Sequence, residues 1–231
     1  MNIPPGLLDL RYFGSIVRND SDNASDADIL CVVDNKEDAN LENLHKLFDK
    51  KIIKEREIDL SVYGKDRISE MYDEGHLFAW HIYQESIPAH SDFSFISELG
   101  KPKDYVKAVE DIERLLEVLQ DTRSSLSDKN CSIVYEAGLL YVVGRNIGIS
   151  ASWYSDNGLD FSRNAPYTLM IQGENRALPL GKHLYGMLCA ARHASVRGSP
   201  SPLIEWGAAL DACTLIEQWG VRLIADIEVI S

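Results

Sequence analysis

The sequence feature that most limits the possible folds is the apolar run ILCVV, Ile29–Val33. A short run without polar residues and rich in β-branched side chains is typical of a strand buried on both faces. Two further strands are predicted, Leu10–Phe13, which ends at Gly14, and Arg56–Tyr63, in which apolar and polar residues alternate. Between the second and third strands, leucines recur at helical spacing over residues 36–51. The order strand, helix, strand predicts a small α/β unit.

The second half of the chain has a different pattern. Apolar residues recur at helical spacing in it, most clearly over Ile133–Ser150 and Gly181–Val196. We place a domain boundary in the polar stretch HSDFSFISELGKPKD, which contains Gly100 and Pro102. The predicted fold class is α+β, with a small mixed sheet and flanking helices at residues 1–98 and a helical bundle at residues 99–231.

Charge and cysteine content narrow the classes of function. The 231 residues carry a formal net charge of −13, which disfavours binding to nucleic acid or to a membrane surface and suits metal cations or a cationic substrate. The four cysteines form no CxxC pair, so we expect free thiols in a reducing compartment. Neither a signal peptide nor a membrane-spanning run is evident, and we predict a cytoplasmic protein that could form a homo-oligomer.

Three aspartates stand where the predicted strands begin. Asp26 and Asp28 are two residues apart, so a strand directs both carboxylates to one side. Asp59 lies near the start of the third strand, and it would join them if the strands are neighbours. Carboxylates that converge repel one another unless a divalent cation neutralises them, and hard oxygen ligands favour Mg²⁺. Two such ions could hold the attacking and leaving oxygens of a phosphoryl transfer.

A Gly-Ser pair at the end of the first strand could supply a phosphate site. Gly14 would let the backbone approach a phosphate closely, and the Ser15 hydroxyl and nearby amides could donate to its oxygens. Arg18 follows one helical turn later and could reach the same group. Taken singly, these residues and the aspartates are more often a turn, a helix cap and strand-edge charges. Their combination at strand boundaries favours a functional site.

The spacing Gly14-Ser15, ten residues, Asp26-x-Asp28 resembles the GSx10DxD signature of the minimal nucleotidyltransferases of the DNA polymerase β superfamily. Asp59 in REIDLSVY matches the third carboxylate of that family, and HLFAWHIYQESIPAHSD is similar to the stretch that follows it in small bacterial members. The resemblance covers the first 95 residues. One departure is Asn19-Asp20, where many members have glycine, so the phosphate loop could differ.

The resemblance implies transfer of a nucleoside monophosphate from a nucleoside triphosphate to a hydroxyl, with release of pyrophosphate. It implies that Asp26 and Asp28 bind two Mg²⁺ ions, with Mn²⁺ as an alternative, and that Asp59 binds the ion that activates the acceptor. The triphosphate would be held by a group of four residues. These nucleotide-binding residues are Gly14, Ser15, Arg18 and Ser25.

The acceptor is left open by the sequence. The helical half is similar to the C-terminal domain of aminoglycoside nucleotidyltransferases and to HEPN domains. We expect ATP as the donor and a hydroxyl group of a small molecule as the acceptor. One candidate for this acceptor is a cationic molecule similar to an aminoglycoside. Two alternatives are an antitoxin that adenylylates a partner toxin and a nucleotide-binding interaction module without turnover. Intact carboxylates argue against the last.

Glu136 is the candidate general base that deprotonates the acceptor. It interrupts an apolar helix, where an acid is costly unless it faces a cleft or a partner. Burial would raise its pKa towards the range of a useful base. The alternative is a structural role, either as a salt bridge within the bundle or as a surface residue of the first helical turn.

Overall fold

The computed structural model describes residues 3–18, 26–35, 44–53 and 56–230. The chain divides into two compact units, Met1–Val106 and Lys107–Ser231. In the first unit the elements are β1 (Leu7–Phe13), α1 (Ser15–Arg18), β2 (Ala27–Val33), a 3₁₀ turn (Leu44–Leu47), α2 (Lys50–Ile53), β3 (Ile58–Gly64), α3 (Lys65–Asp73), α4 (Leu77–Glu85), β4 (Ser86–Pro88) and α5 (Phe95–Leu99). In the second they are α6 (Ala108–Asp128), α7 (Ile133–Ser152), α8 (Ala165–Thr168), β5 (Met170–Ile171), β6 (Glu174–Asn175), α9 (Lys182–Arg197) and α10 (Trp206–Ile230).

The four strands of the first unit form a mixed sheet in the order β3-β2-β1-β4. β1 pairs antiparallel with both β2 and β4, and β2 pairs parallel with β3. A mixed sheet followed by a helical region is the predicted α+β class, which is confirmed.

The central strand β2 is buried on both faces, as its apolar run predicts. All five residues of the ILCVV run have no exposed surface. Ile29, Cys31 and Val33 pack in a core on one side of the sheet. Leu30 and Val32 pack on the other side, against residues of α3 and α4. β2 is therefore packed on both faces from Ile29, the residue that directly follows Asp28.

The helix predicted over residues 36–51 is not continuous. Residues 36–43 lie outside the described part of the chain, and the remainder contains the short 3₁₀ turn and α2 instead of one helix. Asp49 causes the break, because its Oδ1 accepts the backbone N–H of Lys51 at 2.8 Å and so starts a new helix. The backbone N–H of Asp49 in turn donates to the Tyr12 hydroxyl at 2.6 Å. In a continuous helix this N–H would donate to a backbone carbonyl of the preceding turn instead.

The segment after α5 packs against the first unit. The division of the chain therefore lies after Val106, whereas the sequence predicted a boundary after residue 98. The N–H of Lys103 donates to the carbonyl of Tyr72 at 2.9 Å, and its own carbonyl accepts from Trp80 Nε1 at 2.9 Å. Gly75 passes so close that a Cβ there would lie 2.2 Å from the carbonyl oxygen of Asp104. We call residues 100–106 the strap.

The second unit is built from long helices. α7 packs against α6, α9 and α10, and its predicted extent, Ile133–Ser150, agrees within two residues with the observed helix. The predicted helix Gly181–Val196 is observed as α9. No helix in the part of the chain that the structure describes has both the length and the hydrophobicity needed to cross a bilayer.

Candidate active site

Three strand ends meet at one edge of the mixed sheet. β1 runs antiparallel to β2, so the end of β1 lies beside the start of β2, with Tyr12 paired to Ile29. β3 runs parallel to β2, so the two strands begin at the same edge, with Ala27 paired to Ile58. The predicted Gly-Ser turn and the predicted aspartates are therefore carried to one place by the topology.

Asp28 and Asp59 are direct register partners on β2 and β3. Paired residues on adjacent strands point to the same face, about 4.8 Å apart at their Cα atoms. Asp28 is half-buried and Asp59 is exposed. The two carboxylates thus share one face at the open edge, and the condition set by the sequence, that these strands be neighbours, is met.

Gly14 brings the backbone of the predicted phosphate turn against Asp28. Its φ is +70°, and a Cβ built on it would lie 2.9 Å from Oδ2 of Asp28. A side chain here would be both strained and in collision, so the backbone can approach the carboxylate only because the residue is glycine. Ser15 begins α1 directly after the turn. The Gly-Ser turn at the end of β1 and Asp28 on the neighbouring strand β2 therefore belong to one candidate site.

Arg18 lies at the other end of α1 and forms an ion pair with Glu85, the last residue of α4. His81, one turn earlier on α4, places its Nε2 3.0 Å from Oε2 of the same glutamate. The backbone carbonyl of Glu85 accepts the N–H of Gly14 at 3.1 Å. Sequence reasoning missed His81 and Glu85, although their spacing of four residues in a helix was a signal that they share a face.

The donor set fits a divalent cation only in part. No group of three or more His, Cys, Asp or Glu side chains within the described ranges is close enough together to hold a metal ion. Mg²⁺ in phosphoryl-transfer sites is commonly bound by one or two carboxylates together with substrate phosphates, and Asp28 with Asp59 meets that requirement. Asp26 directly precedes β2 and is half-buried. Ser25 and Asn19-Asp20 lie outside the described residues.

Glu136 belongs to the second unit and occupies the first turn of α7. Its side chain is buried, and burial raises the pKa of its carboxyl although a hydrogen bond with Ser125 acts in the opposite direction. Ser132 starts the helix by accepting the N–H of Tyr135 at 3.4 Å. The direction of the pKa change is the one expected for a base, and the Ser125 contact is the one expected for a structural role.

Residues 5–116 match the family model described as a nucleotidyltransferase domain. This part of the chain is similar to nucleotidyltransferase domains, which supports a minimal nucleotidyltransferase. The match contains the whole sheet, the Gly14 turn and the Asp28–Asp59 pair. The nucleotidyltransferase domain therefore carries the site that the geometry assembles, and members of this family generally use divalent metals. No curated protein matches the chain.

Proposed function

We propose that the protein transfers a nucleoside monophosphate from a nucleoside triphosphate, with ATP as the expected donor, to a hydroxyl group of a small molecule. The observation that carries this proposal is the contact of Gly14 with Asp28, whose register partner is Asp59. A phosphate-binding turn directly beside paired carboxylates is what nucleotidyl transfer requires, because the phosphates and the cation that neutralises them must bind together. The reaction would be of the EC 2.7.7 type.

In this reaction the acceptor oxygen bonds to the α-phosphorus, the bond to the bridging oxygen of the β-phosphate breaks, and pyrophosphate leaves. The backbone of the Gly14 turn and the hydroxyl of Ser15 would donate to phosphate oxygens. Asp28 and Asp59, with Asp26 as the further predicted ligand, would hold Mg²⁺, which would supply Lewis-acid stabilisation of the developing charge. Arg18 would bind the outer phosphates through its guanidinium.

The proton of the acceptor hydroxyl needs a base, and Glu136 is the proposed one. Its raised pKa supports this role, because a carboxylate with a higher pKa is a stronger base. A cationic acceptor of the aminoglycoside kind would suit a chain with a net charge of −13.

The test is incubation of the protein with each labelled nucleoside triphosphate and Mg²⁺, with a panel of aminoglycosides and other hydroxyl compounds, followed by mass analysis of both the small molecules and the protein. A small molecule heavier by one nucleoside monophosphate, with an equal amount of pyrophosphate, is the expected result. A nucleotide attached to protein alone would point to the protein-modifying alternative. If the protein binds nucleotide but forms no product, even when candidate partner proteins are co-expressed with it, its function would be nucleotide binding without transfer.

A further inference from the structure

Glu85 contacts the proposed triphosphate site in two different ways. Its backbone carbonyl accepts the N–H of Gly14 at 3.1 Å. Its carboxylate forms the ion pair with Arg18, and both side chains are largely buried, 15% and 20% exposed respectively. One residue of α4 therefore holds the backbone of the glycine turn and the side chain of the arginine that follows it.

The Glu85 oxygen that pairs with Arg18 also lies next to His81. His81 places Nε2 3.0 Å from Oε2 of Glu85, and its ring packs edge-on against Phe13 with a centroid distance of 5.4 Å and an interplanar angle of 84°. Phe13 is the last residue of β1 and directly precedes Gly14. The carboxylate of Glu85 thus lies beside a ring that packs on the strand carrying the turn.

We propose that Glu85 is a positioning residue for the nucleotide: it holds the guanidinium of Arg18 beside the Gly14 turn in the orientation that receives a phosphate. This inference rests on the proposed function. A guanidinium has five N–H donors in a rigid fork, so it can bind a carboxylate along one edge and phosphate oxygens along another. A long arginine side chain fixed before the ligand arrives loses less conformational freedom on binding than one that is mobile.

The alternative is that Glu85 weakens the binding of the nucleotide. A carboxylate next to Arg18 also cancels part of its positive charge, and by Coulomb attraction alone its removal would strengthen the binding of a polyanion. Positioning and charge cancellation therefore predict changes of opposite sign when Glu85 is neutralised, and the sign of the change decides between them.

The experiment measures the Kd of Mg²⁺·ATP by calorimetric titration for the wild type, Glu85→Gln, Arg18→Gln and the double variant. We expect Glu85→Gln to weaken binding by about tenfold, and the double variant to bind no more weakly than Arg18→Gln alone, because the two residues then act as one unit. The KM for the triphosphate should rise more than kcat falls. Glu85→Asp, which keeps the charge, should recover part of the affinity.

The matched control is Glu70→Gln, which removes the carboxylate of an exposed arginine pair on α3, Arg67–Glu70, and should leave the Kd unchanged. Unchanged or tighter binding by Glu85→Gln, or additive losses in the double variant, would overturn the positioning role while the proposed function stands. The contact of Gly14 uses the Glu85 backbone, so the glutamine variant should fold; if it melts early, Glu85→Asp decides by the same comparison. A wild type that does not bind Mg²⁺·ATP or any other Mg²⁺·triphosphate overturns the proposed function, and the inference with it.

Discussion

Asp28 connects two parts of the candidate site, because its carboxylate lies beside the Gly14 turn and its register partner on β3 is Asp59. We expect Asp28→Asn to lower the rate of nucleotidyl transfer by at least about 10²-fold, since it removes a charge that would hold the cation. Stability without ligand should hold or rise, because repulsion with Asp59 is relieved. Turnover of labelled triphosphate and the melting temperature test this.

The control for that change is Asp66→Asn on the exposed start of α3, which alters the same kind of group in the same unit and should retain activity. Normal transfer by Asp28→Asn would contradict the role of the aspartate pair. Full activity of the wild type in excess chelator would do so as well.

Glu136→Gln separates a base from a structural residue. As the proposed base, it should lower kcat by about 10²–10⁴-fold while the Kd of the nucleotide stays the same. A structural Glu136 would instead lose stability through its Ser125 contact and keep its turnover per folded molecule. Steady-state kinetics corrected for the folded fraction, together with nucleotide titration, distinguish the two.

Asp9 is a buried acid that the sequence reading did not single out. It has no exposed surface, its Oδ2 accepts the N–H of Ile96 at 2.8 Å, and Arg11 Nη1 lies 3.6 Å away. Burial outweighs these contacts and raises the pKa of Asp9 above 3.8. The folded state therefore holds this proton more tightly than the unfolded state does, and the resulting stabilisation is complete below pH 3.8 and lost as the pH rises through the folded pKa.

Asp9→Asn should remove this pH dependence while keeping an oxygen that can accept from Ile96. We expect the free energy of unfolding of the wild type to fall relative to that of the variant as the pH rises from 3.8. Urea unfolding of both proteins at a series of pH values measures the difference. Parallel stability curves would mean that Asp9 has the same pKa in both states.

Among the elements, the strap has the sharpest steric requirement. Gly75 has a φ of +65°, and a Cβ on it would collide with the carbonyl of Asp104. Gly75→Ala should therefore destabilise the first unit by more than the strain of about 1–3 kcal/mol expected from the backbone angle alone. Gly6→Ala is the matched control, because Gly6 has a φ of +78° with nothing within 4 Å. Equal losses in denaturant unfolding would show that the strap gives way.

Elements whose burial is decided locally could be predicted from the sequence. The ILCVV run is enough to predict a strand that is buried on both faces. The long helices of the second unit are predicted by the helical spacing of their apolar residues. The break at Asp49 was missed because a leucine pattern does not reveal that the next aspartate caps a new helix and bonds to Tyr12 across the fold. The packing of the strap on the first unit was not predicted, because the strap forms hydrogen bonds to Tyr72 and Trp80 through the backbone of Lys103, which residue type does not reveal.

The same reason explains the candidate site. Gly14, Asp28 and Asp59 were predictable because each stands at a strand boundary, which the sequence marks. Glu85 was not, since it meets Arg18 only when α4 returns to the end of β1, 67 residues later in the chain. Contacts of that kind depend on topology, which spacing and residue type do not specify.

For the whole molecule, the charge balance makes ligand binding depend on the metal. A triphosphate would meet paired carboxylates in a protein of net charge −13, so without a divalent cation repulsion opposes binding. With Mg²⁺, ATP at about 100 times its Kd should stabilise the native state by about 2.7 kcal/mol. Thermal unfolding with ATP, with Mg²⁺, with both, and with both plus chelator measures this. Equal shifts with and without Mg²⁺ would locate the nucleotide elsewhere.

The parallel register of β2 and β3 makes the site depend on the length of the chain as well as on its composition. Side chains in a strand alternate between faces, so insertion of one residue between Ile58 and Asp59, or deletion of Ile58, would turn Asp59 to the opposite face of the sheet. Every residue of the site would still be present, yet the two carboxylates would no longer meet. In this part of the gene, a change of a single codon in length is therefore a more severe event than most substitutions, and variation in length is expected to accumulate in other parts of the chain.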